Sequence, residues 1–213
     1  MKSKQLHGVY AITDPQLCED TLLVSVEEAI KGGIALLQYR NKAAACQQQL
    51  EEAAALKTLC QQHNVLFLIN DNIELALRVD ADGVHLGQQD TALLKARQSL
   101  GENKIIGISC NNRPELALAA QRNGADYLAL GRFFTSQTKP LAPQADADLL
   151  AQVRNQVSIP IVAIGGITPT NGATLIAQGA DMLAAIHGIF AQTDIRSAAK
   201  AYVRLFATET SRM

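Results

Sequence analysis

Eight short apolar runs recur along this 213-residue chain, with longer amphipathic stretches between them. They are Gly8–Thr13, Leu36–Arg40, Val65–Asn70, Gly83–Leu86, Ile105–Ser109, Tyr127–Leu130, Ile161–Ile164 and Met182–Ile186. Each suits a strand and is too short for a helix, and runs apolar on both faces belong to a parallel sheet covered on both sides. Between them, Gln47–Gln62 sets Leu50, Ala53, Ala54 and Lys57 at helical spacing, and Ser197–Phe206 does so with Ala198, Tyr202 and Leu205. A weak repeat supports the pattern: Ala81-Asp82, Ala125-Asp126 and Ala180-Asp181 each precede a strand. The last two follow Gly124 and Gly179 at helix C-cap positions. The repeats lie two strand–helix units apart, each unit being roughly 22 to 28 residues. Eight such units meet the lower limit of about 200 residues for a (β/α)8 barrel. With no low-complexity segment, charge block or linker, residues 1–213 are expected to form a single α/β TIM-barrel domain.

An open, doubly wound sheet is the competing architecture. The polar residues separate the two. Arg40, Asp71, Ser109, Gly166 and His187 stand at the C-terminal ends of five different strands, and Asp90 and Lys139 follow two others. Along an open sheet most of these could not meet; around a closed barrel all ring one mouth, where barrel enzymes keep their chemistry.

One strand end is especially suggestive. Ile161-Val162-Ala163-Ile164 runs through Gly165-Gly166-Ile167 into Thr168-Pro169-Thr170-Asn171. Thr168 reads as an N-cap and Pro169 as the first helical residue. Glycines leading into a helix N-terminus offer bare N–H groups and a positive dipole end to an anion, half of a phosphate cup, although a plain strand-to-helix turn has the same pattern. Ile186-His187-Gly188 at the eighth strand end supplies the partner, because barrels often share one phosphate between loops seven and eight. Either the His187 side chain or the Gly188 backbone can make that contact.

Other strand ends carry charge. Gln38-Tyr39-Arg40-Asn41-Lys42 sets a guanidinium two residues from an ammonium, a pair suited to pyrophosphate or to simple solvation. Asn70-Asp71-Asn72 and Gly87-Gln88-Gln89-Asp90 bring two aspartates from neighbouring strands, enough for magnesium with phosphate oxygens and water completing the octahedron. Asp90 alone reads equally well as an N-cap. The stretch from Gly131 to about Ala145, with Ser136, Gln137, Thr138 and Lys139, is a candidate lid or binding loop, or a variable surface loop. His85, inside an apolar strand, is expected to be a hydrogen-bonded interior residue; His7 and His63 read as surface. With no nucleophile elbow, His-Glu-x-x-His or P-loop, the implied chemistry is metal-assisted transfer or lysis at phosphate-bearing substrates.

The bulk properties exclude other classes. A net charge of −1 and pI near 6.4 give no nucleic-acid surface. The N-terminus lacks the apolar run of a signal peptide, and no window approaches the roughly 18 apolar residues needed to span a bilayer. Cys18, Cys46, Cys60 and Cys110 are scattered and read as small buried thiols in a reducing cytosol. The expected location is the cytoplasm. A homodimer suits a barrel of this size, though no interface patch is legible.

Taken together, the chain resembles the thiamine-phosphate synthase family from Gly8-Val9-Tyr10-Ala11-Ile12-Thr13-Asp14 to Ile186-His187-Gly188-Ile189-Phe190. The most specific segments are Gln38–Lys42, Ile69-Asn70-Asp71, Gly83–Asp90, Thr138-Lys139 and Ala163-Ile164-Gly165-Gly166-Ile167. The resemblance implies the coupling of an aminopyrimidine methyl pyrophosphate with a thiazole phosphate, releasing pyrophosphate. It implies Gln38, Arg40, Lys42, Asn70, Ser109 and Lys139 on the pyrimidine pyrophosphate, with Tyr39 and Asn41 inside the same binding segment. Asp71 and Asp90 would hold Mg2+. Ser136, Thr138, Gly166, Ile186 and His187 would form the thiazole-phosphate side, with Gln137 a further substrate-binding residue. Arg40, Lys42 and Lys139 would carry the catalytic charge, and the loop around Phe133-Phe134 would exclude water. His187 stands where this family more often has serine. Asn41 and Asn72 replace a commoner acidic and basic residue, and Arg132-Phe133-Phe134 replaces a proline-containing segment. A thiazole tautomerase of the same superfamily is the nearest rival, and a non-catalytic thiamine-phosphate sensor is a rival of another class.

Overall fold

Each apolar run faces two cores at once. In a strand successive side chains point to opposite faces, and here Tyr10, Ile12, Leu36, Leu68, Tyr127, Val162 and Met182 fill one buried cluster. Their neighbours Val9, Ala11, Leu37, Phe67, Ile69, Leu128 and Leu183 fill a second with the helices. In the computed structural model, which describes residues 6–18, 21–135, 143–146 and 148–207, the first cluster is the barrel interior and the second the layer between sheet and helices.

The strands are β1 (Gly8–Ile12), β2 (Leu36–Tyr39), β3 (Leu66–Asn70), β4 (Gly83–Leu86), β5 (Ile105–Asn111), β6 (Tyr127–Leu130), β7 (Ile161–Ile164) and β8 (Met182–Ala185). They pair in chain order, all parallel, and β8 pairs with β1 from Gly8↔Met182 to Ala11↔Ala185, closing the expected (β/α)8 barrel. The helices are α1 (Pro15–Cys18), α2 (Leu22–Lys31), α3 (Cys46–Gln62), α4 (Ile73–Arg78), α5 (Leu93–Leu100), α6 (Pro114–Arg122), α7 (Asp148–Arg154), α8 (Gly172–Ala177), α9 (His187–Phe190) and α10 (Ile195–Ala207). Among the described residues no helix is long and apolar enough to cross a membrane.

The Ala-Asp repeat proves to be one device used three times. Asp82, Asp126 and Asp181 each reach back with Oδ2 to accept the backbone N–H of Phe67, Ile106 and Ile161, at 2.8, 2.8 and 2.7 Å. A cation from a preceding helix closes each clamp: Lys57, Arg97 and Arg154, at 3.0, 2.6 and 2.9 Å. The alanines close the preceding helices, their N–H groups returning to Ala76, Ala120 and Leu175 carbonyls over a left-handed residue, Asp80, Gly124 or Gly179. The even-numbered strands β4, β6 and β8 are thereby tied to the strands before them at the base of the barrel.

Some expectations shift. In α3 the buried line is Ala53, Leu56 and Cys60, while Ala54 is exposed and Lys57 turns to Asp82. In α10 it is Ala199, Tyr202 and Phe206. Cys46 is exposed at the start of α3, whereas Cys18, Cys60 and Cys110 are buried, and burial pushes the last two thiols up to about 12. Thr168-Pro169 does not open a helix. The Asn171 side chain accepts from the Thr168 N–H at 2.8 Å and donates to the Gly166 carbonyl at 3.1 Å, closing a turn that delays α8 to Gly172.

Candidate active site

The strands' C-terminal ends surround one cavity of about 510 Å3 that opens at the barrel mouth. On one side stand the charged groups. Asn70 closes β3, and Asp71 turns the chain with φ +61° while its N–H donates to the His85 carbonyl at 2.9 Å. Its Oδ2 accepts from Asn70 Nδ2 at 2.7 Å and meets Lys42 Nζ at 2.5 Å. Lys42 is 60% exposed, so the ion pair adds little to stability and its ammonium is accessible from the cavity.

Asp90 is hydrogen-bonded to Asp71, and its Oδ2 accepts the Gly87 N–H at 2.6 Å. This turn faces the carboxylate inward; the residue before α5 is Ala92, which makes no side-chain cap, so the N-cap alternative for Asp90 does not hold. Burial alone would raise the Asp71 carboxyl, but the bonds from Lys42, Asp90 and Asn70 and the Lys42 charge hold it below the usual range. Burial and the contact with Asp71 push Asp90 the other way. The two carboxyls are thus pulled apart, Asp71 the more acidic of the pair. A cation between them would relieve the repulsion between the two carboxylates.

The floor of the cavity is a line of polar groups. Gln38 Nε2 donates to Tyr10 Oη, Tyr10 Oη lies 2.9 Å from Tyr127 Oη, and Tyr127 Oη lies 2.8 Å from His85 Nδ1. His85 Nε2 then lies 2.8 Å from Ser109 Oγ. Burial raises both phenols, so they remain protonated hydrogen-bond donors.

Opposite the charged side are β7 and β8. Gly165 and Gly166 have φ +103° and +65°, and a Cβ on Gly166 would lie 2.2 Å from the Thr135 carbonyl oxygen. The segment after β6 packs against this turn, with Phe134 N–H donating to the Gly165 carbonyl at 2.9 Å. Beyond β8, α9 starts immediately at His187, so Ile186, His187 and Gly188 border the cavity beside Gly166. Tyr202 Oη donates to the Ile167 carbonyl at 2.6 Å and fills the space a side chain at Gly188 would need.

A family model described as thiamine monophosphate synthase (TMP-TENI) matches residues 9–189. The chain belongs to this family. It is 49% identical to the thiamine-phosphate synthase of Alcanivorax borkumensis over 99% of each chain. It is 47% identical to that of Thioalkalivibrio sulfidiphilus over 95% of this chain and 97% of the other. Among solved structures it superposes on a thiamine phosphate pyrophosphorylase from Pyrococcus furiosus with TM-score 0.89 and 33% identity, covering 96% of this chain and 98% of that one.

Of the residues that resemblance to the thiamine monophosphate synthase family singles out, the structure brings Gln38, Arg40, Lys42, Asn70, Asp71, Asp90, Ser109, Gly166, Ile186 and His187 onto one cavity. Tyr39 and Asn41 are not among them. They alternate with Gln38 and Arg40 along the strand and turn outward, donating to Glu52 of α3 at 2.6 and 3.1 Å. Ser136, Gln137, Thr138 and Lys139 lie outside the described residues. Phe133 is buried in the outer core and Phe134 packs against it, so they root the loop and do not cover the cavity. His85 is the expected hydrogen-bonded interior residue, but it also faces the cavity, as do Tyr10, Asn111, Arg132 and Gln192. Strand alternation could have pointed to Tyr10 and His85; the others required the fold.

Proposed function

We propose that this chain is a thiamine-phosphate synthase, a cytoplasmic transferase. It would join 4-amino-2-methyl-5-(diphosphooxymethyl)pyrimidine to 4-methyl-5-(2-phosphoethyl)thiazole and release pyrophosphate. The observation that supports this most is the Asp71–Asp90 pair, with Lys42 and Arg40 beside it, facing the Gly166–His187 turn across one cavity. Two substrates bearing phosphate at different ends need two such regions.

Magnesium fits the donor set. Among the described residues no cluster of three or more His, Cys, Asp or Glu could hold a metal. Magnesium commonly takes one or two carboxylates and draws its other oxygens from substrate phosphate and water. Asp71 and Asp90 would hold it. Bound there, it would supply neutralising charge to the pyrophosphate oxygens.

The chain's own groups do the rest. Breaking the carbon–oxygen bond leaves a carbocation stabilised by the aminopyrimidine and builds negative charge on the leaving group. Arg40 and Lys42 stand ready to offset that charge, and charges already in place where negative charge develops lower the barrier. The thiazole nitrogen then attacks the cation, held in line by its phosphate in the Gly166 turn, an effect of orientation. Retention of Arg40, Lys42, Asp71 and Asp90 favours the synthase over a tautomerase, which needs neither pyrophosphate groups nor metal. Folded protein given both substrates and Mg2+ should form thiamine phosphate and release pyrophosphate. No product would overturn the synthase and leave a binding protein.

A further inference from the structure

The polar line on the cavity floor joins five side chains from five strands, and its chemistry permits only one direction at a time. Each phenol has one proton. With the Gln38 amide turned so that Nε2 donates to Tyr10, the Tyr10 proton is left for Tyr127. In that sense of the line the Tyr127 proton goes to His85 Nδ1, and a neutral imidazole then carries its proton on Nε2, directed at Ser109 Oγ. Ser109 then accepts from inside the wall and keeps its hydroxyl proton for the cavity. Gln38, with its nitrogen engaged, keeps its amide oxygen for the cavity. Reversal would require turning the Gln38 amide end for end and moving the imidazole proton to Nδ1. A mixed arrangement would set two protons or two lone pairs against each other in a buried site, which is costly.

We propose that Tyr10, Tyr127 and His85 are positioning residues that lock Gln38 as an acceptor and Ser109 as a donor toward the ligand. The pair then reads an amino-substituted heteroaromatic ring. The amino N–H meets Gln38 and a ring nitrogen meets Ser109. Only the ligand's identity rests on the function proposed above; the direction of the line does not.

The backbone is shaped to hold this line. Gly107 lies in register between His85 of β4 and Tyr127 of β6. A Cβ there would sit 1.9 Å from Tyr127 Cζ, so only glycine lets the phenol cross the barrel. Tyr127 stands edge-on to Tyr10, with ring centres 6.1 Å apart, and lies nearly parallel to His85 at 5.6 Å. The three rings fix one another, and each phenol hydroxyl is held between two neighbours in the line.

Two measurements test the proposal on the full chain. Nitrogen-15 NMR of the histidine rings at neutral pH should show His85 with its proton on Nε2 and Nδ1 as an acceptor, and Tyr127→Phe should move the Nδ1 signal. An Nδ1–H ring in the wild type, or no change in Tyr127→Phe, overturns the proposal whether or not the protein is a synthase. In kinetics, Tyr127→Phe should raise the Michaelis constant for the pyrimidine pyrophosphate about 10-fold, the worth of one good hydrogen bond, and leave that for the thiazole phosphate unchanged. His85→Gln, which keeps an N–H toward Ser109, should retain more of the affinity than His85→Leu. Equal change in both constants, or no difference between the two His85 variants, overturns the proposal. Tyr10→Phe breaks the same line from the other end and serves if Tyr127→Phe does not fold. A wild type that makes no thiamine phosphate would overturn the proposed function only, and the NMR result would still decide the line.

Discussion

Asp90 and Asp71 share a hydrogen bond across the ends of two adjacent strands, and the Lys42 ammonium closes on Asp71 at 2.5 Å. Two carboxyls so placed tolerate each other only through a proton or a cation. Asp71→Asn removes the more acidic member. Titration calorimetry with Mg2+ and pyrophosphate should show binding weakened by about 10-fold or more. Turnover should fall about 10²-fold, a loss of the size expected when a charge-stabilising ion is displaced. Full activity in this variant, or in the presence of chelator, would put the metal elsewhere.

Gly166 tests the opposite side. Its φ is +65° and a Cβ would press within 2.2 Å of the Thr135 carbonyl oxygen, a backbone atom that cannot swing aside. Gly166→Ala should therefore cost about 1–3 kcal/mol in thermal unfolding and raise the Michaelis constant for the thiazole phosphate. An unchanged melting temperature would mean the turn has more freedom than its contacts indicate.

His187 begins α9 beside Gly166. His187→Ser should leave the fold intact and alter mainly the Michaelis constant for the thiazole phosphate. A collapse in turnover would instead make it an acid or base in the reaction.

The clamp at the base of the barrel should affect stability without affecting chemistry. Asp126→Ala leaves the Ile106 N–H and the Arg97 guanidinium without their shared partner, both in part-buried positions. The expected loss is about 2–3 kcal/mol by denaturant unfolding, with the Michaelis constants of the remaining folded protein unchanged. A loss within error of zero would mean the clamp is not a stabilising device.

Arg196 of α10 holds Glu28 of α2 with two bonds at 2.8 and 3.0 Å, linking the last helix to an early one. The hydrogen bonds from Arg196 and Lys31 hold the Glu28 carboxyl below its ordinary value. The folded-state value being lowered, this link stabilises above the usual glutamate range and is lost as pH falls through the lowered value. Glu28→Gln should therefore melt below the wild type at neutral pH, the gap closing toward acid and shrinking in high salt. A gap that persisted in acid would assign the effect to packing.

The chain's own pattern determined the barrel. Runs apolar on both faces, spaced by helical stretches and tied by a recurring Ala-Asp, leave few alternatives, because local hydrogen bonding and burial have the same periods in sequence and in space. The charged strand ends were legible for the same reason: residues at corresponding places in successive units must meet once the sheet closes. Treating Gln38–Lys42 as one binding segment obscured the strand's two-residue alternation, which sends Tyr39 and Asn41 to Glu52. Other features belong to the tertiary structure alone. The pairing of Asp90 with Asp71 was legible, but the choice between that role and an N-cap rested on the turn onto the Gly87 N–H, which aims Asp90 inward. The turn after β7 delayed its helix because Asn171 found both Thr168 and Gly166 within reach. Tyr10, Tyr127 and His85 joined through a gap left by Gly107, across separations in sequence that no periodicity connects. Sequence periodicity decides which face a side chain takes; which distant group it then meets depends on distances that exist only after the barrel has closed.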